Sequence, residues 1–181
     1  MRKELQHFYI NGSYGGNQQW FAEPMMKLGG CAAETACDSS IYFSLYYGKD
    51  LYPYDLNDLK KSDYRKFGTV MRPYLMPRMS GIDRLDIYVE GYSAYLADRG
   101  ETGIRISGFS GDRSFEEARE VVRKQIDAGM PIPVLILNHR NRKYRDYVWH
   151  WFLVNGYDSG CKSCASRANR RQARLSHADR S

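Results

Sequence analysis

At 181 residues the chain is long enough for one ordinary domain with a sizeable core and too short for two large ones. With 43% hydrophobic and 14% aromatic residues it is not a disordered chain, a coiled coil or a collagen-like repeat. No apolar run approaches the roughly 18 residues of a membrane span, and the start, residues 1–6, is polar where a signal peptide turns apolar, so a globule at a cytoplasmic address with no membrane partner is expected, while a net charge of +6 raises the question of an anionic partner.

Residues 8–19 are rich in glycine (Gly12, Gly15, Gly16), which fits a tightly turning loop, and no Lys-Ser/Thr follows to make it a phosphate loop. From Cys31, just after Gly29 and Gly30, no Gly or Pro interrupts the chain until Tyr46. This predicts a helix beginning at Cys31, with Cys31, Thr35, Ser39 and Phe43 on one stripe. A second helix is expected over residues 54–71, capped by Asp55 and ended by Pro73. A third is expected over residues 83–97 with Gly100 as its stop, followed by a short strand at 104–107. Ser114 and Glu117 form a capping box, and Phe115, Ala118, Val121, Val122, Gln125 and Ile126 trace one helical face before Gly129.

Residues 131–137 read as a buried strand. A basic loop with Arg140, Arg142, Lys143 and Arg145 leads to a second strand over 147–155. Under period two Val148, His150, Phe152 and Val154 share one face and Trp149, Trp151, Leu153 and Asn155 the other; both faces are largely apolar, which predicts an internal strand. Helices first and strands last argue for an α+β domain with segregated halves, and no internal repeat is present.

The last 23 residues, from Ser159, differ from everything before them. They carry six basic residues against one acid, no aromatic residue and only Leu175 as a large aliphatic, while the preceding 158 residues balance 21 basic against 20 acidic. Such a segment cannot bury enough surface to offset its ordering entropy, so a domain over 1–158 and a basic, disordered tail over 159–181 are expected. Most of the +6 therefore belongs to the tail. Its Arg170 and Arg171 would contact phosphates, but without aromatic residues for stacking and beside a nearly neutral domain, nucleic acid is not the expected partner. Cys161 and Cys164 form a lone C-x-x-C with no second pair, so no metal, cofactor or disulfide framework is expected.

Two residues of the domain bear chemistry. A thiol at the first turn of a helix meets unpaired N–H groups and the positive end of the macrodipole, both of which favour thiolate, and Gly29-Gly30 would let a substrate backbone approach closely. The residues alone leave Cys31 between this role and core packing, whereas Cys37 reads as packing only. His150 lies in an apolar strand and needs a partner, which is either a backbone carbonyl or a thiolate across a cleft. Of the other histidines, His7 and His177 sit in flexible ends and His139 ends a strand. Tyr88, Tyr92 and Tyr95 read as core and interlobe packing.

Four stretches now fall in order: Gly16-Asn-Gln-Gln-Trp-Phe21; Gly29-Gly-Cys-Ala-Ala33 opening a helix; a capped helix running into Asp127-Ala-Gly-Met-Pro-Ile-Pro-Val134; and His150-Trp-Phe-Leu-Val-Asn-Gly-Tyr-Asp158. Together they resemble the C39-like branch of the papain-like cysteine peptidases across residues 8–158. The resemblance implies a two-lobed papain-like domain with the cysteine at a helix start in a helical N-terminal half and an antiparallel sheet in the C-terminal half. It implies Cys31 as nucleophile, His150 as general base and Gln18, with Gln19 as fallback, completing the oxyanion hole. The implied activity is hydrolysis of a peptide or amide bond in a peptide or protein substrate, without cofactor. In the family the chain continues past Gly-Tyr-Asp into a further strand or two that supply an Asp or Asn to orient the histidine. No such residue in a strand-like setting follows Asp158 here, since Asn169 and Asp179 lie in the tail. Two expectations follow: a truncated or frame-shifted relative whose open sheet edge favours self-association, or a tail that genuinely replaces the lost strands. The missing residue also motivates an alternative function, a catalytically silent member that binds a peptide or partner protein in the same cleft.

Overall fold

The computed structural model describes residues 1–158, so the expectations for the tail (disorder, the Cys161/Cys164 pair, Arg170 and Arg171) lie outside the described residues. The chain is a mixed α+β structure with small antiparallel sheets. In order it forms β1 (Arg2–Glu4), β2 (Tyr9–Ile10), β3 (Ser13–Tyr14), a 3-10 turn (Gln18–Trp20) and α1 (Pro24–Gly29). These are followed by α2 (Cys31–Tyr47), α3 (Lys61–Met71), α4 (Leu85–Asp98) and α5 (Phe115–Asp127), then β4 (Ile132–Ile136), a second 3-10 turn (Arg142–Tyr147), β5 (His150–Val154) and β6 (Gly156–Asp158). Among the described residues the strands form three two-stranded antiparallel sheets, β1 with β6, β2 with β3 and β4 with β5. The halves are therefore not fully segregated, because the polar N-terminus returns to pair Lys3 with Tyr157 at the C-terminal end of the domain.

Helix α2 is the centre of the fold. It starts at Cys31 as the sequence predicts and ends at Gly48, whose left-handed φ of 64° lets its N–H reach the Phe43 carbonyl. The single stripe expected from its spacing is replaced by burial on all sides from Cys31 to Ser44. Hydroxyls that would be costly inside are satisfied within the helix: Thr35 donates to the Cys31 carbonyl at 2.9 Å, Ser39 to Thr35 at 2.8 Å and Ser40 to Ala36 at 2.8 Å. Tyr88, Tyr92 and Tyr95 from α4 are fully buried in the same core, as expected.

Helix α5 carries both reciprocal bonds of its capping box, Ser114 with Glu117. Two other elements differ from expectation. Residues 54–60 are not helical: Asp55 builds a local turn by accepting from the Asn57 N–H at 2.9 Å, and the first N–H of α3, on Lys61, is met from afar by the Asn11 side chain at 2.9 Å. Residues 104–107 form no strand; Ile104 and Ile106 pack half-buried against the main core, but no neighbouring strand offers a ladder.

Strands β4 and β5 align from Ile132 opposite Val154 to Ile136 opposite His150. The strand expected over 147–155 loses Tyr147 to the 3-10 turn and Val148 and Trp149 to the turn residues that follow it, and among the described residues β5 pairs with β4 alone rather than lying inside a wider sheet. Period two survives in β5, since Trp151 enters the main core while Phe152 and Val154 join a second cluster with Ile132, Val134, Ile136 and Tyr147. Trp149 departs from its predicted face: at a left-handed φ of 60° the residue is 57% exposed. His7, expected in a flexible end, is held between the rings of Phe8 and Tyr14 at 4.5 and 4.4 Å.

Candidate active site

Cys31 opens α2 and is 6% exposed. Strand β5 packs along α2, Trp151 and Cys31 lie in the same core, and the Trp151 N–H acts on the thiol; His150 is the adjacent residue of that strand. Trp151 fixes this crossing. Its indole N–H donates to the Ile82 carbonyl at 2.6 Å, and its ring stacks on Tyr88 at 4.2 Å, tying the strand to α4 and the segment before it.

Burial acts on both groups in opposite directions. It pushes the Cys31 thiol up to about 11, outweighing the donors from Trp151, Ala32 and Cys31 itself, and the nearby Glu34 carboxyl adds to the rise. It pushes His150 down to about 4. At neutral pH the resting state is thus a thiol and a neutral imidazole, not the thiolate that the helix terminus alone would favour. Backbone donors at the helix start lower the thiol as expected, but desolvation is larger. Among the described residues no side chain hydrogen-bonds the His150 ring.

The glycines before Cys31 also serve a different end from the one expected. A Cβ on Gly30 would stand 2.2 Å from the Met26 carbonyl oxygen, and one on Gly29 would stand 2.8 Å from that of Arg78. The space is filled by the chain's own backbone, and the pair allows α1 to break and α2 to begin within one residue.

Gln18 and Gln19 lie in the 3-10 turn that packs on α1, and both amides donate to the Lys27 carbonyl, at 2.8 and 3.2 Å. Gln18 is half-buried and Gln19 exposed. The Gln18 backbone N–H acts on the Glu34 carboxyl, one turn along α2 from Cys31, and opposes the rise in its pKa. One amide hydrogen of Gln18 remains beyond its bond to Lys27.

Beneath the thiol is a buried acidic pair that the sequence reading passed over. Asp38 accepts from the Gly16 N–H at 3.0 Å and from the Tyr64 hydroxyl at 2.9 Å. Burial nevertheless pushes it up to about 7, and pushes Glu34 well above the usual carboxylate range with Asp38 adding to the rise. A cavity of about 10 Å³, the size of one water, is lined by Glu34, Asp38, His7, Tyr14, Trp151 and Asn155 among others. The signal was available: two acids at i and i+4 repel on an exposed helix, and in a helix of small residues they call for partners. Cys37 is fully buried in the core, in keeping with packing alone.

No family model matches the chain, and no curated protein or solved structure matches it. No helix among the described residues is long and apolar enough to cross a membrane.

Proposed function

We propose that the protein is a papain-like, two-lobed thiol hydrolase of the C39-like kind, acting on a peptide or amide bond. The observation that supports the reading is the packing of β5, which begins at His150, along α2, which begins at Cys31. A neutral imidazole and a protonated thiol suit general-base catalysis: His150 takes the Cys31 proton as sulphur attacks the carbonyl carbon, so charge develops only as the bond forms. The Cys31 N–H, in the helix turn whose donors lack intrahelical partners, and the Gln18 amide stabilise the resulting oxyanion. Collapse of the tetrahedral species breaks the C–N bond, and His150 returns the proton to the leaving amine. Water then adds to the thioester, giving its proton to His150, and the thiol is regenerated as the carboxylic acid departs.

The alternative, a silent member that binds a peptide in the same cleft, is favoured by the elevated thiol and by the lack of a side chain orienting His150. Incubation of the purified chain with a complex peptide mixture, read by mass spectrometry, separates the two. Hydrolase activity yields new termini that disappear with Cys31→Ala; peptide retention without new termini supports the silent reading.

A further inference from the structure

The turn between β4 and β5 concentrates positive charge beside the candidate base. Residues 137–149 hold Arg140, Arg142, Lys143 and Arg145 against one acid, Asp146, while the rest of the domain carries 17 basic and 19 acidic residues. Among the described residues ten ion pairs occupy other cations, and none of them involves these four, all of which are exposed. The turn is nonetheless built. Asn141 caps the Arg142–Tyr147 3-10 turn by accepting from the Lys143 N–H at 3.0 Å. Tyr144 and Tyr147, three residues apart and so on one side, face inward: Tyr144 packs on His139 at 4.6 Å and Tyr147 on Phe152 at 5.3 Å. The turn ends at Trp149, a bulky residue in a left-handed conformation that is costly unless its surroundings impose it, here through a 2.6 Å bond from its N–H to the Ile136 carbonyl. That geometry leaves the Trp149 ring exposed immediately before His150.

We infer that residues 137–149 select the substrate, and that they favour a peptide with acidic residues on the leaving-group side of the scissile bond. The inference rests on the hydrolase reading for its direction, since the leaving amine takes its proton from His150 and the chain beyond that amine lies toward the turn. Exposed guanidinium and ammonium groups attract carboxylates at long range and hold them in short contacts, while the Trp149 face covers the peptide backbone. A nucleic acid would find the same charge but no reason to lie at a thiol.

Anisotropy on the full chain with fluorescein-labelled (Gly-Glu)6, (Gly-Gln)6 and a twelve-residue oligothymidylate at 50 mM salt tests the surface without requiring turnover. About tenfold tighter binding of the Glu peptide than the Gln peptide is expected, lost when Arg142, Lys143 and Arg145 are all replaced by Gln and retained when Arg65, Arg119 and Lys124 are. Equal binding of the two peptides, or the same loss in both triple variants, overturns the inference, as does binding of the oligonucleotide as tightly as the Glu peptide. In the peptide-mixture digest, new N-termini enriched in Asp and Glu over their first few residues support the direction, and cleavage without that enrichment overturns it. A digest with no cleavage at all removes the hydrolase reading, while the anisotropy still decides whether the turn recognises acidic peptides.

Discussion

The helix that carries Cys31 and the hairpin that carries His150 are held in place by opposite means. Helix α2 is buried on every side from Cys31 to Ser44, its hydroxyls and carboxyls bonded within the core, so the position of the thiol is over-determined. The β4–β5 pair has only two strands among the described residues, its β4 positions are half-buried, and its outer cluster is small. It meets the main core chiefly through one large side chain, Trp151. One half of the candidate site is thus set by many weak constraints and the other by one strong one, and the two should fail differently.

The largest effect is expected where the second half depends on a single residue. Trp151→Ala removes the Tyr88 stack and the bond to Ile82 and leaves a large cavity, a loss of about 3–5 kcal/mol in a denaturant titration. If the hairpin hangs on this residue, Cys31 should become markedly more open to alkylation in the same variant while Cys37 stays protected within α2. Equal exposure of both cysteines would mean that the two regions unfold as one.

Asp38→Asn probes the over-determined half through pH. Because the folded state holds the Asp38 proton up to about pH 7 and the unfolded chain releases it near its ordinary value of 3.8, this group costs stability as pH rises through that window. His7 and His150, both lowered to about 4, act in the opposite sense and contribute stability as pH rises from about 4 to 6.5. Removing the acid should therefore shift the difference in unfolding free energy progressively in favour of the variant between pH 4 and pH 7. A difference that is flat in pH would show that Asp38 titrates as an ordinary carboxylate. A smaller effect is expected for Ser114→Ala, which removes one cap of the exposed helix α5: about 1 kcal/mol of stability, with Cys31 reactivity unchanged.

Much of this arrangement was legible in the sequence wherever a signal was local. The capping box at Ser114 and the uninterrupted run from Cys31 located α5 and α2, and the alternation through Trp151 and Phe152 sorted β5 into two faces. What depended on distant partners was not. Asp55 reads as a helix cap but closes a turn, and the first N–H of the helix that does form, on Lys61, is met by Asn11, 50 residues away. Gly29 and Gly30 read as room for a substrate, yet that room is taken by the carbonyls of Arg78 and Met26. The helix terminus at Cys31 pointed to a thiolate, because a macrodipole is visible in a sequence and the burial that overrides it is not. His7, polar and near the N-terminus, gave no sign of lying between two rings.

The pairing of Cys31 with His150 is the central claim, and the pH profile of Cys31 alkylation by iodoacetamide, compared between the parent and His150→Ala, tests it most directly. A thiol near 11 without help reacts slowly at pH 7 and gains about tenfold in rate per pH unit. With His150 as its base, the parent should react at least about tenfold faster than that line near pH 7, with the excess falling away below about pH 4 as the imidazole is protonated, and His150→Ala should return Cys31 to the unassisted line. Superimposable profiles for the two proteins would contradict the pairing and, with it, the hydrolase reading.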